Sequence, residues 1–369
     1  MFDLVNSILL LLVTFIFART LFETINGTTD TSHSNTPIMI NRRGGARIPN
    51  RRIPIMPLGD EPSTSSGPSL TNTYEATAQD VLEAKAVVAQ ASNLPPEIVD
   101  MIMDRAEYWA TSAAAIDYSN TRAKLFTVRG GRAHENQFLL RTEPLGLTKW
   151  SPSSEDLWRA QSSPKPLEAE YPQSKLLDLI DGPVSTLEHP FRKVTFDIVS
   201  RDQGWSGHGE DHGTYRKSYT WFDAGLERFD MNNQCASDCS DQAKSNASDD
   251  DAASIPTCAI RPLWPPIVES EGRYDHELLP NREHTIQRNK HAEKSLRHHH
   301  VEWSWTDDID PESAAAETLD EVGRGPATGN GEFVRNLKYG DMVTVWGRAR
   351  FGGWANNIEK VEVKVFWAV

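Results

Sequence analysis

Hydrophobic and polar residues alternate most regularly between Lys193 and Arg228. In KVTFDIVS, Val194, Phe196 and Ile198 fall on one side of an extended chain, and Lys193, Thr195 and Asp197 on the other. A period of two marks a half-buried strand. A glycine-bearing stretch, RDQGWSGHGEDHGTY, follows, then a second aromatic run with Tyr215, Tyr219, Thr220, Trp221 and Phe222. Strand, connection and aromatic strand predict an antiparallel unit of a β-sandwich. The C-terminus repeats the pattern as a hairpin: Asp341–Arg350 and Ile358–Trp367 flank FGGWANN. In its last strand Val361, Val363, Val365 and Trp367 share one face, and Lys360, Glu362 and Lys364 the other.

Other runs are weaker. His300–Thr306 alternates, with Val301, Trp303 and Trp305 opposite His300, Glu302 and Ser304. Glu283–Asn289 reads as a moderate strand, and Ala123–Val128 and Gln137–Leu147 as strands about a turn at Gly130 and Gly131. Before these the period changes. Tyr74–Ser92 is rich in alanine, and NLPPEIVDMIMDRAEYWA places Ile98, Met101, Ile102, Ala106 and Trp109 at helical spacing behind Asn93 and two prolines. The fold class expected is therefore mainly β: an antiparallel sandwich of jelly-roll character over 119–369, preceded by a helical segment over 74–118.

The ends and insertions complete the layout. Leu4–Ala18 is an uncharged apolar run closed by Arg19, with further arginines at Arg42, Arg43, Arg47, Arg51 and Arg52. Positive charge after an apolar segment predicts a single-pass anchor, using residues 4–21 of a 1–25 segment, with the body in the cytosol. A cleaved secretory signal ending at Ala18 is the alternative, and glycosylation patterns at Asn26 and Asn246 would accompany it. Residues 26–73, rich in Thr, Ser, Pro, Gly and Arg, read as a disordered linker, and 232–255 as a disordered acidic insertion.

Composition narrows the function. A formal charge of −14 over 369 residues disfavours a nucleic-acid partner, because phosphate binding needs clustered cations. Of eleven tryptophans all but Trp109 lie from Trp150 onward, where the strands are expected. Three cysteines, Cys235, Cys239 and Cys258, make a poor disulfide framework and fit reduced thiols.

Two resemblances enter on particular residues. Leu94-Pro95-Pro96-Glu97-Ile98 resembles the opening helix of an F-box, which implies a short amphipathic helix docking on a partner through Leu94, Ile98, Met101 and Ile102. The two Leu-rich helices that would follow are replaced by SAAAIDYSNTRAK. Over roughly 93–369, SRDQGW…TWFD and VTVWGRARFGGWANNIEKVEV are similar to a family of uncharacterised fungal proteins. That resemblance implies a β-rich module joined to other elements, and it brings no catalytic residues.

Candidate chemistry lies in the loops. Asp202, Gln203 and Trp205 follow one strong strand, and Trp354, Asn356 and Asn357 border another. Should both loops lie at one end of a sandwich, a tryptophan plate with amide and carboxylate neighbours suits a sugar or a peptide. The competing expectation is turn hydrogen bonds over packed rings. His208, Glu210, Asp211 and His212, with Cys235 and Cys239, have metal-ligand types in loop spacing, and a solvated turn is expected instead of zinc. In His298-His299-His300 the strand period sends the middle ring to the opposite face, so only two can converge, and solvated histidines on a strand edge are expected. No nucleophile elbow, phosphate loop, catalytic carboxylate pair or dinucleotide fingerprint occurs. The expected function is a non-catalytic binding module at a membrane, with no cofactor or metal and a protein or carbohydrate ligand. An F-box-like adaptor and a secreted lectin-like protein are the alternatives.

Overall fold

A computed structural model describes residues 75–131, 134–150, 160–207, 209–232, 255–270, 273–276 and 281–369. All fall within one unit, Pro62–Val369. The expected anchor, the linker, His208, Trp158, Cys235, Cys239 and Asn246 lie outside the described residues. Among the described residues no helix is long and apolar enough to cross a membrane.

Two helices open the described chain. Helix α1 (Ala78–Ser92) begins with a capping box: Thr77 Oγ1 accepts from the Asp80 amide and the Asp80 carboxylate accepts from the Thr77 amide. Asn93, at φ 52°, ends it in the left-handed conformation that asparagine tolerates. Helix α2 (Pro96–Arg105) starts on a proline, whose missing N–H would have had no partner there. It buries Val99, Ile102 and Met103, while Met101 is 63% exposed. The face read from the sequence is thus rotated. Ile102 packs within this chain, Leu94 and Ile98 are half-buried, and Met101 alone of the four is open to a partner.

The remainder is mainly β, in two antiparallel sheets. The first has the order β1 (Ala110–Asp117), β12 (Ala355–Trp367), β4 (Phe191–Arg201), β10 (Arg297–Ser304), with β2 (Phe126–Arg129) continuing beyond β1 along β12. The second has the order β3 (Asn136–Arg141), β11 (Met342–Ala349), β5 (Thr220–Phe229). The far edge of β5 is shared by β6 (Ile260–Trp264), beside Leu226–Phe229, and β9 (Thr285–Arg288), beside Trp221–Asp223. A separate hairpin joins β7 (Ile267–Ser270) to β8 (Arg273–His276). Short helices α3 (Gln173–Leu177), α4 (Ala314–Glu321) and α5 (Glu332–Arg335) lie in the connections.

The helical reading of 74–118 therefore holds only to Arg105; Ala110–Asp117 is strand β1. Its alanines offer little propensity for a sheet. Eight consecutive pairings with Trp367–Lys360 of β12 decide the matter. Strand β10 likewise spans Arg297–Ser304 and stops before Trp305, and β3 stops at Arg141 rather than reaching Leu147.

The sheets pack face to face. A Cβ placed on Gly347 of β11 would come within 2.9 Å of Ile358, 3.3 Å of Leu139 and 3.3 Å of Val128, so side chains of both sheets close on that glycine and would have to shift for a larger residue. The inward set read from the alternation is fully buried: Val194, Phe196, Ile198, Val361, Val363 and Val365 are each 0% exposed. The outward set is covered as well, with Asp197 at 7%, Glu362 at 3% and Lys364 at 6%. These positions are central in the sheet, and Lys364 pairs with Glu362 and with Glu75 ahead of α1. The outer side of the second sheet is buried too, and there Arg141 meets Glu227 at 2.7 Å and Arg348 meets Asp223 at 3.2 Å. Such pairs mainly avoid leaving a lone charge in the interior.

Strand β12 is the centre of the first sheet, so removal of residues 360–369 is expected to abolish cooperative unfolding. Thermal melting of the shortened chain followed by circular dichroism checks this; a sharp transition would contradict it.

Candidate functional site

The end of the sandwich reached by the C-termini of β4, β9 and β11 gathers the sequence-predicted residues. Loop 202–219 follows β4, loop 289–296 follows β9, and loop 350–354 joins β11 to β12. The chain between β1 and β3 arrives there as well, since the Gly130 amide donates to the Trp354 carbonyl at 3.0 Å.

Beneath these loops lies a plug of buried amides and hydroxyls. The Ser200 hydroxyl donates to Asn289 Oδ1 at 2.7 Å. Asn289 Nδ2 donates to Thr220 Oγ1 at 3.0 Å and to Asn356 Oδ1 at 2.9 Å. Asn356 Nδ2 donates to the Trp221 carbonyl at 3.1 Å and the Arg348 carbonyl at 3.3 Å. Ser200, Thr220, Asn289 and Asn356 are each 0% exposed. The network ties β4 and β12 of one sheet to β5 and β11 of the other. Leaving one of these groups unsatisfied would cost about 1–3 kcal/mol.

The first loop is stapled onto this plug. Asp202 is buried; Oδ1 accepts from the Gly204 amide at 2.7 Å and Oδ2 from the Ala292 amide at 2.5 Å. Burial pushes its carboxyl above the usual carboxylate range, and those two amides work against the shift. Gln203 accepts from the Ala355 amide at 3.2 Å and donates to the Trp205 carbonyl at 2.7 Å. Asn357 donates to the Asp202 carbonyl at 3.0 Å and accepts from the Thr127 hydroxyl at 2.9 Å.

All six sequence-predicted loop residues thus lie at one end, and the side chains of Asp202, Gln203, Asn356 and Asn357 hydrogen-bond within the chain. What reaches solvent is aromatic. Trp205 is 63% exposed, and its ring tip would be 3.7 Å from a Cβ placed on Gly353. Phe351 is 50% exposed and lies edge-on to Tyr219 at 4.8 Å. Trp354 is half-buried against Tyr219 at 5.2 Å and His291 at 5.1 Å.

The histidine expectations divide. His298 Nε2 and His300 Nδ1 lie 2.8 Å and 3.0 Å from the same oxygen of Asp197, so the two outward rings converge on a carboxylate rather than standing only in solvent. His299 points the other way and is 7% exposed. Burial, with smaller contributions from Arg297, His298 and Lys290, lowers its pKa to about 4. Among the described residues no group of three His, Cys, Asp or Glu side chains could hold a metal ion. The residues that sequence reasoning missed are Ser200, Asn289 and His291, which belong to no local motif.

A concavity of about 770 Å3 lies beside α4 and is lined by Arg216, Arg282, Arg288, Glu312 and Asp320 among others. Two of its cations are already paired, Arg282 with Glu312 and Arg288 with Asp320. No family model, no curated protein sequence and no solved structure matches the chain.

Two predictions follow from this geometry. Asn356→Ala is expected to lower stability by about 1–3 kcal/mol in denaturant melts, because it removes the buried acceptor of one Asn289 N–H and the side-chain donor to the Trp221 and Arg348 carbonyls. Between about 6.5 and about 4 the unfolded chain takes up a proton at His299 that the folded chain refuses. That contribution to stability is complete above pH 6.5 and is lost as pH falls. His299→Phe is expected to flatten the fall in melting temperature over that window relative to wild type.

Proposed function

We propose that the chain is a binding module of jelly-roll character whose ligand-facing end is the rim carrying Trp205 and Phe351, and that its ligand is a carbohydrate. Two exposed rings on adjoining loops, held by a fully bonded frame, carry this reading. An isolated exposed aromatic is ordinary on a protein surface; two on a pre-organised frame lose little conformational freedom on binding. The apolar face of a sugar ring stacks on an aromatic plane, and its hydroxyls suit the polar groups that border such a plane.

The strand order supports the architecture. The sheets are ordered 1–12–4–10 and 3–11–5–6, with β9 pairing the same edge of β5 as β6. Taken with β9 rather than β6 as the edge beside β5, that order is consistent with two interleaved Greek keys, which supports the jelly-roll reading. In this reading the apolar segment 4–21 tethers the module to a membrane with the body in the cytosol, and membership of the fungal β-module family fits the same architecture. An F-box-like role is less well supported, because Val99, Ile102 and Met103 already spend the apolar face of α2 inside the chain.

A glycan array probed with the full chain tests the proposal. Trp205→Ala and Phe351→Ala are expected to abolish retention while changing the stability by no more than about 0.5 kcal/mol, as for other exposed positions. Binding that survives both substitutions, or a wild-type chain that retains no glycan, would overturn it.

A further inference from the structure

Ser206, the neighbour of Trp205, stands between two imidazoles. Its Oγ is 2.5 Å from Nε2 of His291 and 3.1 Å from Nε2 of His212. His291 is 0% exposed, and its Nδ1 is 3.0 Å from the carbonyl oxygen of Arg216. A carbonyl oxygen only accepts, so Nδ1 carries a proton. In the neutral ring Nε2 then offers a lone pair, and the Ser206 hydroxyl donates to it. Having one proton, Oγ can only accept from His212, which is its donor.

The ring of His291 is held in this pose from several directions. Its backbone amide donates to the Thr214 carbonyl at 2.7 Å, and its carbonyl accepts from the Gly213 amide at 2.8 Å. Trp354 packs against the ring at 5.1 Å and His212 at 5.6 Å. An orienting acceptor, a fixed imidazole and a hydroxyl in sequence are the parts of an activated nucleophile. Here a main-chain carbonyl takes the orienting place that a carboxylate fills elsewhere. Ser206 itself is half-buried, not sealed in the core.

We propose that Ser206 is a nucleophile and His291 its general base, in acyl transfer from a carboxylic ester of a sugar or related polyol. The reaction goes beyond the binding reading; the choice of ester rests on it, and the nucleophile does not. Oγ forms a bond to the acyl carbon while the bond from that carbon to the alcohol oxygen breaks. The Ser206 proton passes to His291 Nε2 and from there to the departing alkoxide. Water then attacks the acyl-serine, His291 takes its proton and returns it to Oγ, and the carboxylic acid leaves. The hydrogen bond from His212 stabilises Oγ as it gains negative charge.

Labelling of the full chain with a fluorophosphonate probe, followed by peptide mass spectrometry, tests this without any ligand. Oγ displaces fluoride from phosphorus in the same proton transfer to His291. The folded wild type is expected to carry an adduct on Ser206, formed far faster than on the heat-unfolded chain and absent in Ser206→Ala. His291→Gln is expected to slow labelling by about 100-fold or more, the scale of general-base assistance. A folded wild type that gives no adduct at Ser206, or labels it no faster than the unfolded chain does, overturns the assignment. That comparison needs no variant to fold. Sugar binding without labelling sinks the nucleophile alone; labelling without sugar binding sinks the rim reading and with it the sugar ester, and leaves the nucleophile standing.

Discussion

The pairing of β12 on both of its edges is the constraint on which the rest depends. Its thirteen residues meet β4 on one side and β1 followed by β2 on the other. A slip of one residue would turn Val361, Val363 and Val365 outward and Glu362 and Lys364 into the core. The burial of those valines therefore fixes the register, and the register fixes where Asn356 and Asn357 stand. The strand that closes the first sheet also positions the end of the molecule where the loops meet.

That end shows a division of labour by depth. At the bottom, amide and hydroxyl groups join the two sheets with their hydrogen bonds satisfied. Above them, Asp202, Gln203 and Asn357 hold the first loop against β12 and against Ala292. At the surface, Trp205 and Phe351 face solvent. A buried polar network of this kind is strongly directional, because each member loses more by being unpaired than it contributes when paired. The rigid layer beneath is what allows exposed rings, and the hydroxyl of Ser206, to keep a defined geometry on loops.

Charge follows a similar logic. The chain carries a formal charge of −14, yet several acids are inside it and answered by a specific cation: Glu227 by Arg141, Asp223 by Arg348, Asp341 by Arg228. Arg141, Arg348 and their acids cover the outer side of the second sheet and are close to fully buried. Substituting one partner of such a pair strands the other in a low-dielectric setting. Each pair therefore joins two segments at that sheet and keeps a buried charge from being left alone.

The β half of the molecule was legible from its alternation, because an inward face of Val, Phe and Ile is a local property of each strand. The 202–205 and 354–357 loops were legible as ends of strong strands, but that they meet was only a condition in the sequence, met once the strands had paired. Strand β1 was not legible: Ala110–Asp117 has no alternation of its own, and its conformation comes from β12, more than two hundred residues away. The outward charges of β4 and β12 were expected in solvent and are covered, because exposure in mid-sheet depends on neighbouring strands. Asn356 looked like a ligand contact and turned inward because Asn289, Trp221 and Arg348 supply its partners from three other parts of the chain. Ser206 and His291 are 85 residues apart. Period-two hydrophobicity, which the sequence determines alone, settles that there are sheets and which side of each is apolar; hydrogen-bond partners across such separations exist only once the sheets have packed, and so the plug, the rim and the serine–histidine pair were decided by the tertiary structure.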